Sequence, residues 1–137
     1  MKIFQKTIKI KTKGLNEFVK ITDEVEKVVK ESKIKNGMVF VNALHNTAAL
    51  IIQEYEQGIH KDLVKFFEKI LPLNGKYFHD YEGNINATAH IKSNLLKTFL
   101  TIPLKDNKLL LGTWQNIFFV EMFEAREREV SVTIIGE

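Results

Sequence analysis

Residues 38–44, MVFVNAL, and 48–54, AALIIQE, decide the architecture, because each run is apolar on both of its alternating faces. A strand with one wet face alternates apolar and polar residues, whereas a strand apolar on both must be covered twice. The same reading extends to 109–122, LLLGTWQNIFFVEM. There Leu109, Leu111, Ile117 and Phe119 share one parity, and Leu110, Trp114, Phe118 and Val120 share the other. A sandwich closing on itself or association with further copies can supply that double cover.

Working outward, residues 3–12 set Phe4, Ile8 and Ile10 against Gln5, Thr7, Lys9 and Lys11, which predicts a strand. Lys13-Gly14 turns the chain into a second run, Leu15–Ile21. Thr22 and Asp23 then offer an N-cap to EVEKVVKES, whose Val25, Val28 and Val29 follow Ile21 at helical spacing. Asn36-Gly37 is a turn signal before the decisive strands. Downstream, Ile59–Leu71 predicts an amphipathic helix burying Leu63, Phe66, Phe67 and Ile70, with Pro72 beyond it. The polar stretch GKYFHDYEGNINATAH reads as a loop, and a third short helix, opened by His90, carries Ile91, Leu95 and Leu96. The runs TFLTIPL and EVSVTII, with KDNK as a turn after the first, complete roughly seven strands and three helices, an order unlike a βαβ repeat. The expected fold is α+β, one domain over residues 1–137, sandwich-like, with antiparallel or mixed sheets.

Composition narrows the chemistry. At 137 residues, 45% hydrophobic and 27% charged, the chain is sized and composed for one globular domain. With no cysteine, disulfides, thiolate metal sites and thiol catalysis are excluded. The net charge of +3 comes almost wholly from lysine, and the aromatics do not interleave with the basic residues, so we read a lysine-coated surface and no nucleic-acid face. No run approaches the ~18–20 apolar residues of a membrane helix, so no membrane association is expected. The alternating MKIFQKTIKIKTK is not a secretory signal, and a cytoplasmic address is expected.

Four histidines invite attention. His60 sits beside Lys61 and Asp62, off any polar cluster, and reads as surface. His45 ends a buried strand, His79 precedes Asp80 in the glycine-punctuated loop, and His90 follows Asn86 and Thr88. Three imidazoles with neighbouring carboxylates can hold a zinc-like ion with open positions; equally, each can satisfy a local hydrogen bond at an element end. Glu54, ending a strand, is a candidate general base. Gly112-Thr113-Trp114-Gln115 offers a stacking ring and an amide. If the last strand runs straight, Arg126 and Arg128 share parity with Val130, Val132 and Ile134, fitting them to pair with a phosphate or a carboxylate; otherwise both lie in a turn. No Walker loop, GxGxxG, GxSxG or EF-hand pattern occurs.

The segments NGMVFVNALHNTAAL, YFHDYEGNINATAHIKSNLL and LLLGTWQNIFF, in a match running from QKTIKIKTKG to VSVTIIGE, resemble the YjbQ-like family, described as the secondary thiamine-phosphate synthase family. The resemblance implies a sandwich-like fold assembling as a homotrimer. It also implies a histidine-lined pocket often occupied by a metal, and weak coupling of hydroxymethylpyrimidine diphosphate to thiazole phosphate. Carried over by position, His45, His79 and His90 become the metal or catalytic cluster, with Asp80 and Glu54 as carboxylate neighbours. Asn86, Trp114 and Gln115 line the pocket, and Arg126 and Arg128 are further ligand-binding candidates. A divalent ion is expected, zinc suiting three imidazoles and magnesium a diphosphate. The chain departs from the family in Phe123-Glu124-Ala125, where an acidic residue and glycine are common, and in Lys97, where glycine is usual. Three functions follow as expectations: a transferase on phosphorylated heterocycles, a metal-assisted hydrolase of a small phosphorylated metabolite, or a non-catalytic ligand-binding trimer.

Overall fold

Eight strands, three α-helices and one 3-10 turn build two stacked sheets with a helical layer, in a computed structural model describing residues 1–137. The strands are β1 (Lys2–Lys11), β2 (Phe18–Lys20), β3 (Gly37–Ala43), β4 (Ala48–Gln53), β5 (Phe99–Lys105), β6 (Lys108–Leu109), β7 (Asn116–Glu121) and β8 (Glu127–Gly136). The helices are α1 (Thr22–Ser32), α2 (Gln57–Ile70) and α3 (Asn84–Leu96), with the 3-10 turn at Asp80–Glu82. One sheet has the order β1-β8-β3-β5-β6 and the other β2-β7-β4. Every pairing is antiparallel, so the α+β sandwich expectation holds and no mixed sheet forms.

Double apolar faces now have a physical cause. Ile117 and Phe119 of β7 enter the main core with Val39, Val41, Val130 and Val132, while Phe118 and Val120 join a second cluster with Ala49, Ala89 and Met122. The second sheet is thus the middle layer, covered by the first sheet on one side and by α3 on the other. The strand β3 is different. Val39 and Val41 are buried, but Met38 and Phe40 keep more than a third of their surface exposed, so one apolar face of the first sheet has no cover within the chain.

Several boundaries moved. The run 109–122 is not one strand: it breaks at the exposed turn Gly112–Gln115, and Trp114 is 71% exposed rather than on a core face. The helix expected to open at His90 begins at Asn84. In α1, Thr22 makes no cap; its hydroxyl donates to Asn116 Oδ1 (2.9 Å) and accepts from the Ile117 N–H (2.9 Å), tying the helix start to β7. Of the stripe expected inside α2, only Phe67 is buried, and Phe66 and Ile70 face solvent.

Lys97 ends α3 at φ 81°, ψ 155°, a region essentially reserved for glycine, which fits the glycine that the family resemblance leads one to expect there. The conformation aims the Lys97 carbonyl at the Leu50 N–H (3.1 Å), joining α3 to β4. Relief of strain of about 1–3 kcal/mol outweighs the entropy glycine loses on folding, so Lys97→Gly should stabilise the protein by about 1 kcal/mol. A rise in denaturant midpoint at constant m-value would show it; no rise would mean that the neighbours already accommodate the Cβ.

Candidate functional site

Two groups of polar residues stand at one end of the second sheet. Ser93 Oγ of α3 donates to the Ala48 carbonyl at the start of β4 (2.7 Å), and the Leu50 N–H donates to Lys97 further along. The helix therefore runs with β4, and its amino-terminal half, carrying Asn86 and His90, extends toward the end at which His45 and Thr47 precede the strand.

The first group is built by α3 and the 3-10 turn before it. Asn86 and His90 are one helical turn apart and share a face. His79, immediately before the turn, brings its ring centroid to 4.7 Å from that of His90 and 4.5 Å from that of Tyr81. Its Nε2 is buried and has no hydrogen-bond partner, although Glu82 Oε2 lies 3.4 Å away, out of line for a hydrogen bond. Asn86 Oδ1 is likewise buried and unspent. A buried polar atom without a partner is uncommon enough to ask what it is kept for. The chain thus offers a nitrogen and an oxygen, with two imidazoles in contact and exposed Asp80 and Glu82 beside them.

The second group is a closed ionic network. Arg128 is buried on β8, as the straight-strand reading anticipates, and Arg126 stands outside the strand, exposed and paired with Glu124. Arg128 Nε donates to Glu121 Oε1 (2.8 Å) and its Nη2 donates to Glu121 Oε2 and to Thr47 Oγ1 (3.0 Å). Thr12 Oγ1 donates to Glu121 Oε1 (2.6 Å) and the Phe123 N–H to Oε2 (3.0 Å). Burial alone would raise the Glu121 carboxyl, yet the hydrogen bonds from Arg128, Thr12 and Phe123, with the arginine charge, hold it below its usual range. Arg128 is therefore committed, through Nε and Nη2, to an internal carboxylate and to Thr47.

His45 borders this network. Its Nε2 accepts the Glu129 N–H (2.8 Å), so the neutral ring carries its proton on Nδ1 and has no lone pair to give a metal. Burial, then the nearby Arg128 charge, lowers its pKa and keeps it neutral. The expected trio of His45, His79 and His90 is accordingly not assembled: within one chain no group of three His, Asp or Glu side chains is arranged to hold an ion.

Glu54, Trp114 and Gln115 are elsewhere. Gln53 pairs with Asn116, so all three sit past the far end of β4, about 20 Å along a six-residue strand from Ala48. Gln115 Oε1 is engaged by the Gly112 N–H (2.8 Å), which shapes the turn that displays Trp114. Two residues escaped the sequence reading. Glu82 was signalled only by its i+3 spacing from His79. His60, read as surface, is half-buried, lying flat on Phe18 at 4.3 Å and edge-on to Phe118 at 4.8 Å.

Comparison with other proteins fits this geometry into a family. Residues 6–137 match the family described as UPF0047 protein YjbQ-like. The chain belongs to the YjbQ-like UPF0047 family. A UPF0047 protein of Archaeoglobus fulgidus is 41% identical over 90% of this chain and 94% of its own. The UPF0047 protein MJ1081 of Methanocaldococcus jannaschii is 41% identical, covering 93% and 91%. Among solved structures, a YbjQ-like protein of unknown function from Sulfolobus solfataricus superposes with a TM-score of 0.92 at 35% identity, covering 99% of both chains. An uncharacterized YjbQ/UPF0047 protein of Clostridium acetobutylicum gives 0.88 at 36%, covering 95% and 99%. Membership of the YjbQ-like family fixes the fold; an activity has to be argued from the residues.

Proposed function

We propose that this protein is a transferase on small phosphorylated heterocycles, working at a divalent-metal site held by His79 and His90 and shared between copies of a homotrimer. The observation that carries the reading is the buried, unspent Nε2 of His79, in a ring touching His90. Paired imidazoles fit zinc better than magnesium, which prefers oxygen ligands. When bound, such an ion would supply positive charge against a departing diphosphate. Asn86 Oδ1 is free to accept a hydrogen bond from a ligand amine or hydroxyl. Trp114, 71% exposed, offers a flat surface to a heteroaromatic ring, and half-buried Glu54 a carboxylate.

Because Trp114 and Glu54 lie at the far end of the sheet from the histidines, a pocket using both ends needs two copies of the chain. Exposed Phe78 and Tyr81 beside the histidine pair, and Phe40 and Phe99 on the outer sheet, are apolar surface that a trimer would cover. Purified wild-type protein should release diphosphate only when hydroxymethylpyrimidine diphosphate and thiazole phosphate are both present. His79→Ala and Trp114→Ala should each be inactive, and co-assembled mixtures of the two should regain activity. Active single variants, or mixtures that stay dead, would remove the shared pocket. A second reading, metal-assisted phosphoester hydrolysis, is favoured by the Glu82 carboxylate 3.4 Å from His79, a group placed to take a proton. Phosphate release without an acceptor would select it.

A further inference from the structure

Strand β2 is an edge of the second sheet, whose order is β2-β7-β4. The Glu121 N–H donates to the Glu17 carbonyl (2.9 Å) and the Ile21 N–H to the Ile117 carbonyl (2.8 Å). Odd-numbered residues of this stretch thus turn their main chain toward β7, and an antiparallel ladder alternates. The N–H and C=O groups of Phe18 and Lys20 therefore face the other way, where the sheet has no further strand.

Helix α2 runs beside that edge in the opposite direction. The Lys20 ammonium lies 5.0 Å from the ring of Tyr55, which precedes the helix. The His60 ring stacks on Phe18 at 4.3 Å, and Val64 and Glu68 line a cleft with Asn16. Two clefts share the Phe18–His60 contact. One, of about 310 Å³, is bordered by Lys61, Val64, Lys65 and Glu68; the other, of about 260 Å³, by Tyr55, Gln57 and Phe118. His60 Nε2 is buried without a hydrogen-bond partner, a polar atom that the chain by itself leaves unsatisfied.

A free sheet edge beside a helix is the setting in which an extended segment adds as a further strand. Its main chain bonds the edge and its alternate side chains meet the helix. The charge of the groove decides the kind of segment. Lys61 and Lys65 stand one helical turn apart, about 6 Å along the axis, and Glu68 is the only acid lining either cleft. Alternate side chains of a strand are about 6.6 Å apart, so acidic residues at i and i+2 match the two lysines.

We propose that the groove between β2 and α2 is a docking site for an extended acidic segment of a partner protein, which adds to the second sheet as a fourth strand. Its N–H and C=O groups bond those of Phe18 and Lys20, and two alternate carboxylates meet Lys61 and Lys65. Because only two residues present their main chain, the contact is reversible and the edge is guarded against indiscriminate pairing.

The test is a titration of the intact protein with a fluorescein-labelled TEVEVT peptide amide, read by anisotropy. Binding should saturate, and the charge-reversed peptide TKVKVT should bind at least ten-fold more weakly. Lys20→Pro removes the outward N–H and no bond of the sheet, so it should melt as Lys20→Met does yet bind about ten-fold more weakly than that variant. Lys61→Met and Lys65→Met should each cost about three-fold. If Lys20→Pro fails to fold, the bond is deleted from the other side. Of two peptides N-methylated at the central valine or at the glutamate after it, one should then bind about ten-fold more weakly, since one of those N–H groups faces β2.

No saturable binding, equal binding of the two charge forms, or equal affinity of Lys20→Pro and Lys20→Met overturns the proposal. So do methylated peptides that both bind like the parent. Displacement of the peptide by an equal concentration of inorganic phosphate would make the groove an anion site and overturn it too. Self-association lost in Lys20→Pro, with no peptide bound, would give the edge to a second copy instead. The histidine pair takes no part, so the outcome is independent of the metal reading.

Discussion

Arg128→Met should lower the unfolding free energy by about 3–5 kcal/mol and the melting temperature by on the order of 10–20 °C. The reason is the partner left behind. Glu121 is fully buried, and without the guanidinium its charge keeps only the Thr12 hydroxyl and the Phe123 N–H. Arg126→Met is the control. Its guanidinium is exposed and paired with exposed Glu124, so the change should be below about 1 kcal/mol. The double variant Glu121→Leu/Arg128→Met should recover most of the loss, because burying apolar groups in place of an ion pair is nearly neutral. Chemical denaturation of the four proteins checks the series. Equal stability of the Arg128 and Arg126 variants would mean that the buried pair contributes nothing.

The same network sets an acid limit. Glu121 titrates below its ordinary value near 4.5 in the folded protein, and His45 below its ordinary 6.5. In both windows the unfolded chain binds more protons than the folded one, so stability rises with pH. The His45 contribution is complete above pH 6.5 and is lost as pH falls through its folded value. The Glu121 contribution is complete above pH 4.5 and is lost further down.

How far the sequence reveals this arrangement depends on whether a residue's role is local or set by packing. The parity of Arg128 with Val130, Val132 and Ile134 was legible, because a straight strand fixes side by position and burial on one face leaves no freedom. Its partner was not, since Glu121 lies on β7 and only the stacking of two sheets brings the two together. The early start of α3 was hidden for another reason. Asn84, Asn86 and Thr88 are loop-prone residues, yet Asn84 Nδ2 donates to the Leu73 and Gly75 carbonyls and Thr88 Oγ1 to the Asn84 carbonyl, bonds that let a polar segment stay helical. In 109–122 the glycine at 112 was the visible signal, overridden by apolar periodicity on either side. The histidines illustrate the limit most directly. Residue type and neighbours single out His45, His79 and His90, but that His45 has its Nε2 taken by the Glu129 N–H of another strand, while His79 Nε2 is left without a partner, is decided by packing.

That difference in unspent nitrogens yields the sharpest functional prediction. If His79 and His90 hold zinc as proposed, His79→Ala and His90→Ala should each abolish zinc binding almost completely, by more than the roughly 10–100-fold that loss of an outer partner costs, because a pair of imidazoles has no redundancy. The His79 variant should stay folded, since His79 Nε2 makes no hydrogen bond whose loss could cost stability. His45→Ala should behave in the opposite way. It should leave zinc binding as in the wild-type protein and lose about 0.5–1.5 kcal/mol of stability, having removed the acceptor of the Glu129 N–H. Metal analysis and thermal melts on the same preparations separate the two roles, because a ligand moves the first quantity and a structural acceptor the second. A His45 variant that melts like wild type but carries no metal would show that the ring gives up the Glu129 bond and turns to an ion in the assembled protein. Ion release would then strengthen the link between β8 and the residue that enters β4, coupling the site to the strand that holds Arg128.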